Sequence, residues 1–209
     1  MVNVGEPAPD FALPDQSGNT VALTALRGKT VVLFFYPKAD TSGCTVEACG
    51  FRDSKAQFDE KDVVLLGMSP DPARVQSKFA VKYELPMQLL ADEAHETAEK
   101  YGVWIEKSMY GRKYMGIDRT TFVIGPDGIL KHIFGKVKPA DHAEEVLKLV
   151  TETPAGPRVD AVGAAPALRG PHRAAAAASE CERRDDRRTH SRILGWEAED
   201  DLSPLWRYR

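Results

Sequence analysis

The chain lacks most of the features that would assign it at a glance. No apolar run in its 209 residues approaches the length needed to span a bilayer, which argues against a membrane protein. Excess charge of one sign is also missing. The formal net charge is −3, so no nucleic-acid partner is expected. Cysteine is scarce, with three residues, and this excludes a disulfide-dense secreted scaffold. The N-terminus, MVNVGEPAPD, has no basic region leading into an apolar stretch. No secretory signal is readable there, and a cytoplasmic setting is the default. There is no C-x-x-C motif and no second close pair of cysteines to complete a four-ligand zinc site. His95, His132 and His142 stand singly. No metal or organic cofactor is expected from this inventory, and no internal repeat is visible.

Lysine is absent from residues 152–209, which hold 10 Arg and 10 acidic residues, whereas residues 1–151 hold 13 Lys, 5 Arg and 21 acids. The break falls within LKLVTETPAGP. Beyond it come Pro154, Pro157, Pro166 and Pro171, an alanine run at 174–178 and the cluster ERRDDRR. Low aliphatic content with clustered charge predicts a low-complexity, disordered tail over 152–209 behind one folded domain over 1–151. Trp196, Leu202, Leu205 and Trp206 are too few anchors for a second core. The switch from Lys to Arg is also what a shifted reading frame would produce, which sequencing an independent clone tests.

The first 151 residues alternate between strand and helix patterns. Residues 30–36 (TVVLFFY) and 63–68 (VVLLGM) are continuous apolar runs, as strands buried on both faces are. Residues 121–124 and 129–134 flank Gly125-Pro126-Asp127-Gly128 and predict a hairpin. A smaller hairpin is expected around DQSGN, from 11–13 and 21–23. Helical spacing covers 45–60, with Ala48, Phe51 and Phe58 on one side. A second helix is expected after Asp71-Pro72, with Asp71 as its N-cap and Val75, Phe79 and Tyr83 inward. A third is capped by Asp92 and stopped by Gly102. A fourth covers 139–150, with Ala143, Val146, Leu147 and Val150 inward. The order predicts an α/β fold with a mixed central sheet flanked by helices.

Cys44 follows a buried strand and a short loop, at the start of the next helix. The carboxyl end of a strand in an open α/β sheet is the usual place for a site. The helix N-terminus favours a thiolate through its free N–H groups and its positive dipole end. Cys49 lies five residues on. Across an intact helix that spacing puts the Cα atoms roughly 8–9 Å apart, beyond the limit of about 7 Å for a disulfide. Either the two never bond or the helix unwinds, which Gly50 would ease. On its own, Cys49 is equally a core residue, and Cys181 in SECERR reads as an incidental thiol.

The segment FFYPKADTSGCTVEACGFRD resembles the active-site segment of the peroxiredoxins, and its C-x4-C spacing resembles the bacterioferritin comigratory protein, or peroxiredoxin Q, subfamily. The likeness extends over 3–150, through GEPAPDFALPDQSG, EKYGVW and GIDRTTFVIGPDG. Pro37, Thr41 and Cys44 meet the family pattern P-x-x-x-T-x-x-C, and Arg119 supplies the later arginine. One departure is Ser42, where many members carry Pro; it lies between motif positions and is expected to alter loop stiffness. The tail has no counterpart in the family pattern.

The resemblance implies a thioredoxin-like fold and reduction of hydrogen peroxide and organic hydroperoxides. It implies Cys44 as the peroxidatic nucleophile, aided by Thr41 and Arg119, with Pro37 shaping and shielding the loop. It implies Cys49 as resolving residue in a Cys44–Cys49 disulfide, thioredoxin or a similar dithiol as reductant, and a monomer. Trp104 and Tyr36 are candidates to line the pocket, and aromatic core packing explains them equally well. A redox sensor or chaperone-like binding protein using the same cysteine switch is the competing reading, separated by turnover with thioredoxin. A metal-binding module is the third, separated by metal analysis.

Overall fold

The computed structural model describes residues 2–109 and 112–152. The expected tail at 152–209, with Cys181, Trp196 and Trp206, falls outside them but for its first residue. Among the described residues five strands form the central sheet, in the spatial order Gln88–Ala91, Val63–Ser69, Thr30–Phe35, Thr120–Ile124, Leu130–Gly135. β3 (Thr30–Phe35) and β4 (Val63–Ser69) are parallel, as are β4 and β5 (Gln88–Ala91). β8 (Thr120–Ile124) runs antiparallel to β3, and β9 (Leu130–Gly135) antiparallel to β8. The mixed sheet flanked by helices is therefore as expected.

Alternation along β3 divides the interior in two. Val32 and Phe34, followed by Tyr36, enter one core with Cys44, Phe51, Phe58, Phe79 and Val146. Val31, Leu33 and Phe35 enter the other with Phe11, Leu66, Tyr101, Phe122 and Leu130. Helices α1 (Ser42–Asp53), α2 (Lys55–Asp59), α3 (Ala73–Tyr83) and α5 (His142–Glu152) contribute to the first core. The hairpin of β1 (Ala12–Pro14) and β2 (Thr20–Ala22) and the short α4 (Glu96–Lys100) cover the second face. Gly67 has to be glycine. A Cβ on it would come within 2.7 Å of Phe34 Cζ and 2.8 Å of Leu89 Cδ2, so this is where neighbouring strands bring bulky side chains together.

Several expectations are corrected. The single helix over 45–60 is two, broken at Ser54. Asp71 does not cap α3; Pro72 is the N-cap, and the Asp71 carboxylate accepts from Ser69 Oγ and the Ala39 amide instead. Asp92 does bind the N-terminus of α4, accepting from the Thr97 and Ala98 amides, although His95 occupies the N-cap position. Gly102, at φ +71°, ends that segment as expected. Three strands were not anticipated: β5, and the separate antiparallel pair β6 (Trp104–Met109) and β7 (Arg112–Ile117).

Candidate active site

The site is assembled where β3 ends. Tyr36 is buried, the chain crosses residues 37–41, and α1 begins with Thr41 as its N-cap in extended conformation (φ −100°, ψ 151°). Cys44 is the third residue of α1. Its free thiol is 2% exposed, so the nucleophile candidate sits within the positive end of the helix while nearly withdrawn from water. No side chain caps this helix, and the first-turn N–H groups lack carbonyl partners inside it.

Arg119 immediately precedes β8. The antiparallel register pairs Thr120 with Phe35, so the arginine emerges beside the end of β3. Its Nη2 donates to Cys44 Sγ at 3.2 Å. Gly43 lies against it: a Cβ there would be in ordinary contact, 3.4 Å from Nη2 and 3.7 Å from Pro139 Cγ. The guanidinium is thus packed between the first turn of α1 and the segment before α5. A fixed, permanently charged donor against sulfur favours the thiolate and any anion formed beside it.

The residue that sequence reasoning missed is Glu47. It is 1% exposed, and its Oε2 accepts from Arg119 Nη1, so one guanidinium joins Glu47 and Cys44. Its Oε1 is buried without a hydrogen-bond partner. Burial pushes the carboxyl up to about 7, although Arg119 pulls it down. Arg119 keeps more solvent contact and faces two acidic neighbours. For it the attraction of Glu47 and Cys44 outweighs burial, and its own pKa rises. A signal existed in the sequence: Glu47 lies three residues after Cys44, on the same helix face.

The other expected residues fall in different places. Thr41 is exposed, and its hydroxyl donates to the Lys38 carbonyl at 3.0 Å, leaving its lone pairs for a ligand. Pro37 is half-buried at the start of the loop. Cys49 is 4% exposed in the same unbroken helix as Cys44. Since Cys44 is a free thiol, the two cysteines are not joined here. Tyr36 shares a core with Cys44. Trp104 does not; it stacks on His95 with ring centroids 3.9 Å apart and packs against the opposite core.

A protein-family model, the AhpC/TSA family, matches residues 4–133, well over half of the chain. The chain belongs to this family, the peroxiredoxins. A peroxiredoxin named Bcp from Coxiella burnetii is 46% identical over 146 residues, covering 70% of this chain and 97% of that protein. The peroxiredoxin Bcp of Bacillus subtilis is 45% identical over 151 residues, covering 72% and 96%. The bacterioferritin comigratory protein of Xanthomonas campestris superposes with a TM-score of 0.66 at 32% identity, covering 68% of this chain and 90% of that one. The mixed sheet is accordingly the thioredoxin-like fold of peroxiredoxins. The reaction class is peroxide reduction by a thiol, an antioxidant oxidoreductase chemistry that takes a peroxide as substrate and needs a reductant as partner. Among the described residues no helix is long and apolar enough to cross a membrane.

Proposed function

We propose that Cys44 is the peroxidatic nucleophile of a thioredoxin-recycled peroxidase, with Cys49 as its resolving partner. The observation that carries this reading is the donation from Arg119 to the buried free thiol of Cys44 at a helix N-terminus. In the first step the Cys44 thiolate attacks the terminal oxygen of a hydroperoxide. An S–O bond forms, the O–O bond breaks, and the sulfur becomes a sulfenic acid. The departing oxygen leaves as alkoxide or hydroxide and takes a proton to give an alcohol or water. Charge moves from sulfur to that oxygen, and Arg119 and the first-turn amides of α1 stabilise it on both. Thr41, whose own proton is held by Lys38, accepts from the hydroperoxide O–H and orients it. Pro37 sets the path of the loop and keeps water off the sulfur.

In the second step Cys49, once in its reduced thiol form, displaces hydroxide from the sulfenic acid, giving a disulfide and water. Because both residues sit in unbroken α1, about 8–9 Å apart at Cα, its first turns must unwind. A dithiol protein, thioredoxin or one like it, then reduces the disulfide by exchange and is itself oxidised. Organic hydroperoxides join hydrogen peroxide as substrates. The support is the similar Xanthomonas campestris protein, whose structure is described in terms of alkyl peroxide reduction activity. The cysteine-poor composition supports a cytoplasmic setting, and the resemblance to the peroxiredoxin Q subfamily supports a monomer.

The test is peroxide consumption with thioredoxin, thioredoxin reductase and NADPH. Turnover should vanish in Cys44→Ser and fall in Cys49→Ser, and the oxidised protein should lose helix around residues 44–50. Full turnover in Cys49→Ser would remove Cys49 from the mechanism. One equivalent consumed and no more by the unmodified protein would favour a sensor.

A further inference from the structure

A buried polar relay lies between residues 37–41 and the body of the sheet, and the chemistry above does not use it. Gln76, near the start of α3, is completely buried, and its whole amide is engaged. Its Nε2 donates to Ser69 Oγ at 2.8 Å and to the Leu90 carbonyl at 3.1 Å. Its Oε1 accepts from the Tyr36 hydroxyl. Ser69 Oγ also accepts from the Asp71 amide at 3.2 Å and donates its one proton to Asp71 Oδ2 at 2.8 Å. The same Oδ2 accepts the Ala39 amide at 2.7 Å.

The relay has a direction. The Gln76 N–H occupies a lone pair of Ser69, so the serine proton must point at Asp71, and this orients the carboxylate toward Ala39. Gln76 therefore touches both sides of Pro37: Tyr36 directly, and Ala39 through two intermediates. An apolar residue would pack against the same core but would deprive the Tyr36 hydroxyl of its Gln76 acceptor, leaving Ser69 as its side-chain partner. The far end of α3 holds the same loop. Asp40, in the left-handed region at φ +59°, accepts from Tyr83 Oη at 2.7 Å and pairs with Lys82. A non-glycine residue keeps that conformation only where its surroundings fix it.

We infer that Gln76 is a positioning residue for peroxide reduction. It acts through Tyr36 and through Ser69 and Asp71 to hold residues 37–41, and so Thr41, in reactive geometry; this rests on the assignment of Cys44 as nucleophile. Gln76→Glu tests the direction of the relay with almost no change of volume. The new carboxylate still accepts from Tyr36 but cannot donate to Ser69, whose proton turns toward it and releases the Asp71–Ala39 end. Ser69→Ala cuts the same relay without adding charge.

The measurement is the rate constant of Cys44 toward hydrogen peroxide and, separately, toward iodoacetamide, followed by mass on the Cys44 peptide. Alkylation needs the thiolate but no oriented peroxide. Both variants should react with peroxide about 10- to 100-fold more slowly, with alkylation changed by less than about twofold. Equal losses in the two reactions, or no loss in either, would overturn the role of Gln76. Cys44→Ser runs alongside. If it is inactive while both relay variants keep their peroxide rate, only the Gln76 inference fails. If it still consumes peroxide, the assignment of Cys44 fails, and this inference with it.

Discussion

The two halves of α1 are built on opposite principles. The first turns hold buried polar groups: Cys44 and Glu47 share one guanidinium, and Glu47 keeps an oxygen without a partner. The inward side of the later turns is apolar and close-packed. A Cβ on Gly50 would lie 3.4 Å from Ala143 Cβ of α5, and Phe51 stacks on Phe34 with centroids 4.6 Å apart. The front of the helix is arranged for charge, and the back is arranged for contact. On the proposed mechanism both halves are used in one cycle, the front to attack and the junction between them to open. The stability of the back sets how much opening costs.

The largest break in this contrast should come from Arg119→Met, which keeps a similar stem and deletes the charge. Loss of a donor aimed at developing negative charge costs about 10²–10³ in rate, so stopped-flow oxidation of Cys44 by hydrogen peroxide should slow by that order. A loss below tenfold would mean that the helix end alone suffices. Arg119→Lys should recover only part, because a point charge cannot serve Cys44 and Glu47 together.

The charge in the front half should also show in stability against pH. Glu47 titrates near 7 in the folded protein against an ordinary value of 4.5. The folded state therefore binds the extra proton between those values, and stability falls as pH rises through the window. Glu47→Gln should flatten that slope in urea unfolding series run from pH 4.5 to 7.5. An unchanged slope would place the titration elsewhere.

The back half gives the reverse sign. His142, 1% exposed, lies edge-on to Phe51 and Phe134 and shares a 2.7 Å hydrogen bond with Thr121 Oγ1. Burial lowers it from 6.5 to about 4, with Arg119 adding to the effect and Glu145 opposing it. Here the unfolded chain binds the extra proton, so stability is lost as pH falls from about 6.5 toward 4. In His142→Gln the acid limb of the unfolding series should lose this component. Opposite slopes removed by the two substitutions would separate the carboxyl in the front of α1 from the α5 imidazole packed on its back.

The same contrast explains what could be read from the sequence. β3, β4 and the hairpin of β8 and β9 were legible because strands buried on both faces leave unbroken apolar runs and a Gly-Pro-Asp-Gly turn. β6 and β7 were not, since WIEKSM and RKYMGI form a pair outside the central sheet, and mixed polarity carries little strand signal. β5 has only four residues. In the site, Cys44, Thr41, Pro37 and Arg119 stood in a family pattern, and the structure brings Arg119 to Cys44. Glu47 was passed over because one glutamate in an amphipathic helix looks like a solvated residue. Its burial is a consequence of Arg119 arriving from another element, which helix periodicity does not contain. The relay from Gln76 was hidden for the same reason, being made of contacts between α3, β4 and the loop.

The finest test acts on the junction itself. Gly50 is a poor residue for a helix interior, and alanine is better there by about 1 kcal/mol. The space allows it, because among the described residues a Cβ on Gly50 would meet only Ala143 Cβ, at 3.4 Å, an ordinary contact. Gly50→Ala should therefore leave the first step alone, since Cys44, Glu47 and Arg119 are untouched. It should stabilise intact α1 against the unwinding that brings Cys49 to the sulfenic acid. Formation of the disulfide should slow by about fivefold, the factor that corresponds to 1 kcal/mol. The two steps separate in rapid-mixing experiments, with peroxide varied for the first and the peroxide-independent phase reporting the second. A slower second phase with an unchanged first would tie resolution to the back of the helix. An unchanged second phase would mean that α1 opens only ahead of Gly50, within the turns that carry Cys44 and Glu47. The contact with α5 would then have no part in the catalytic cycle.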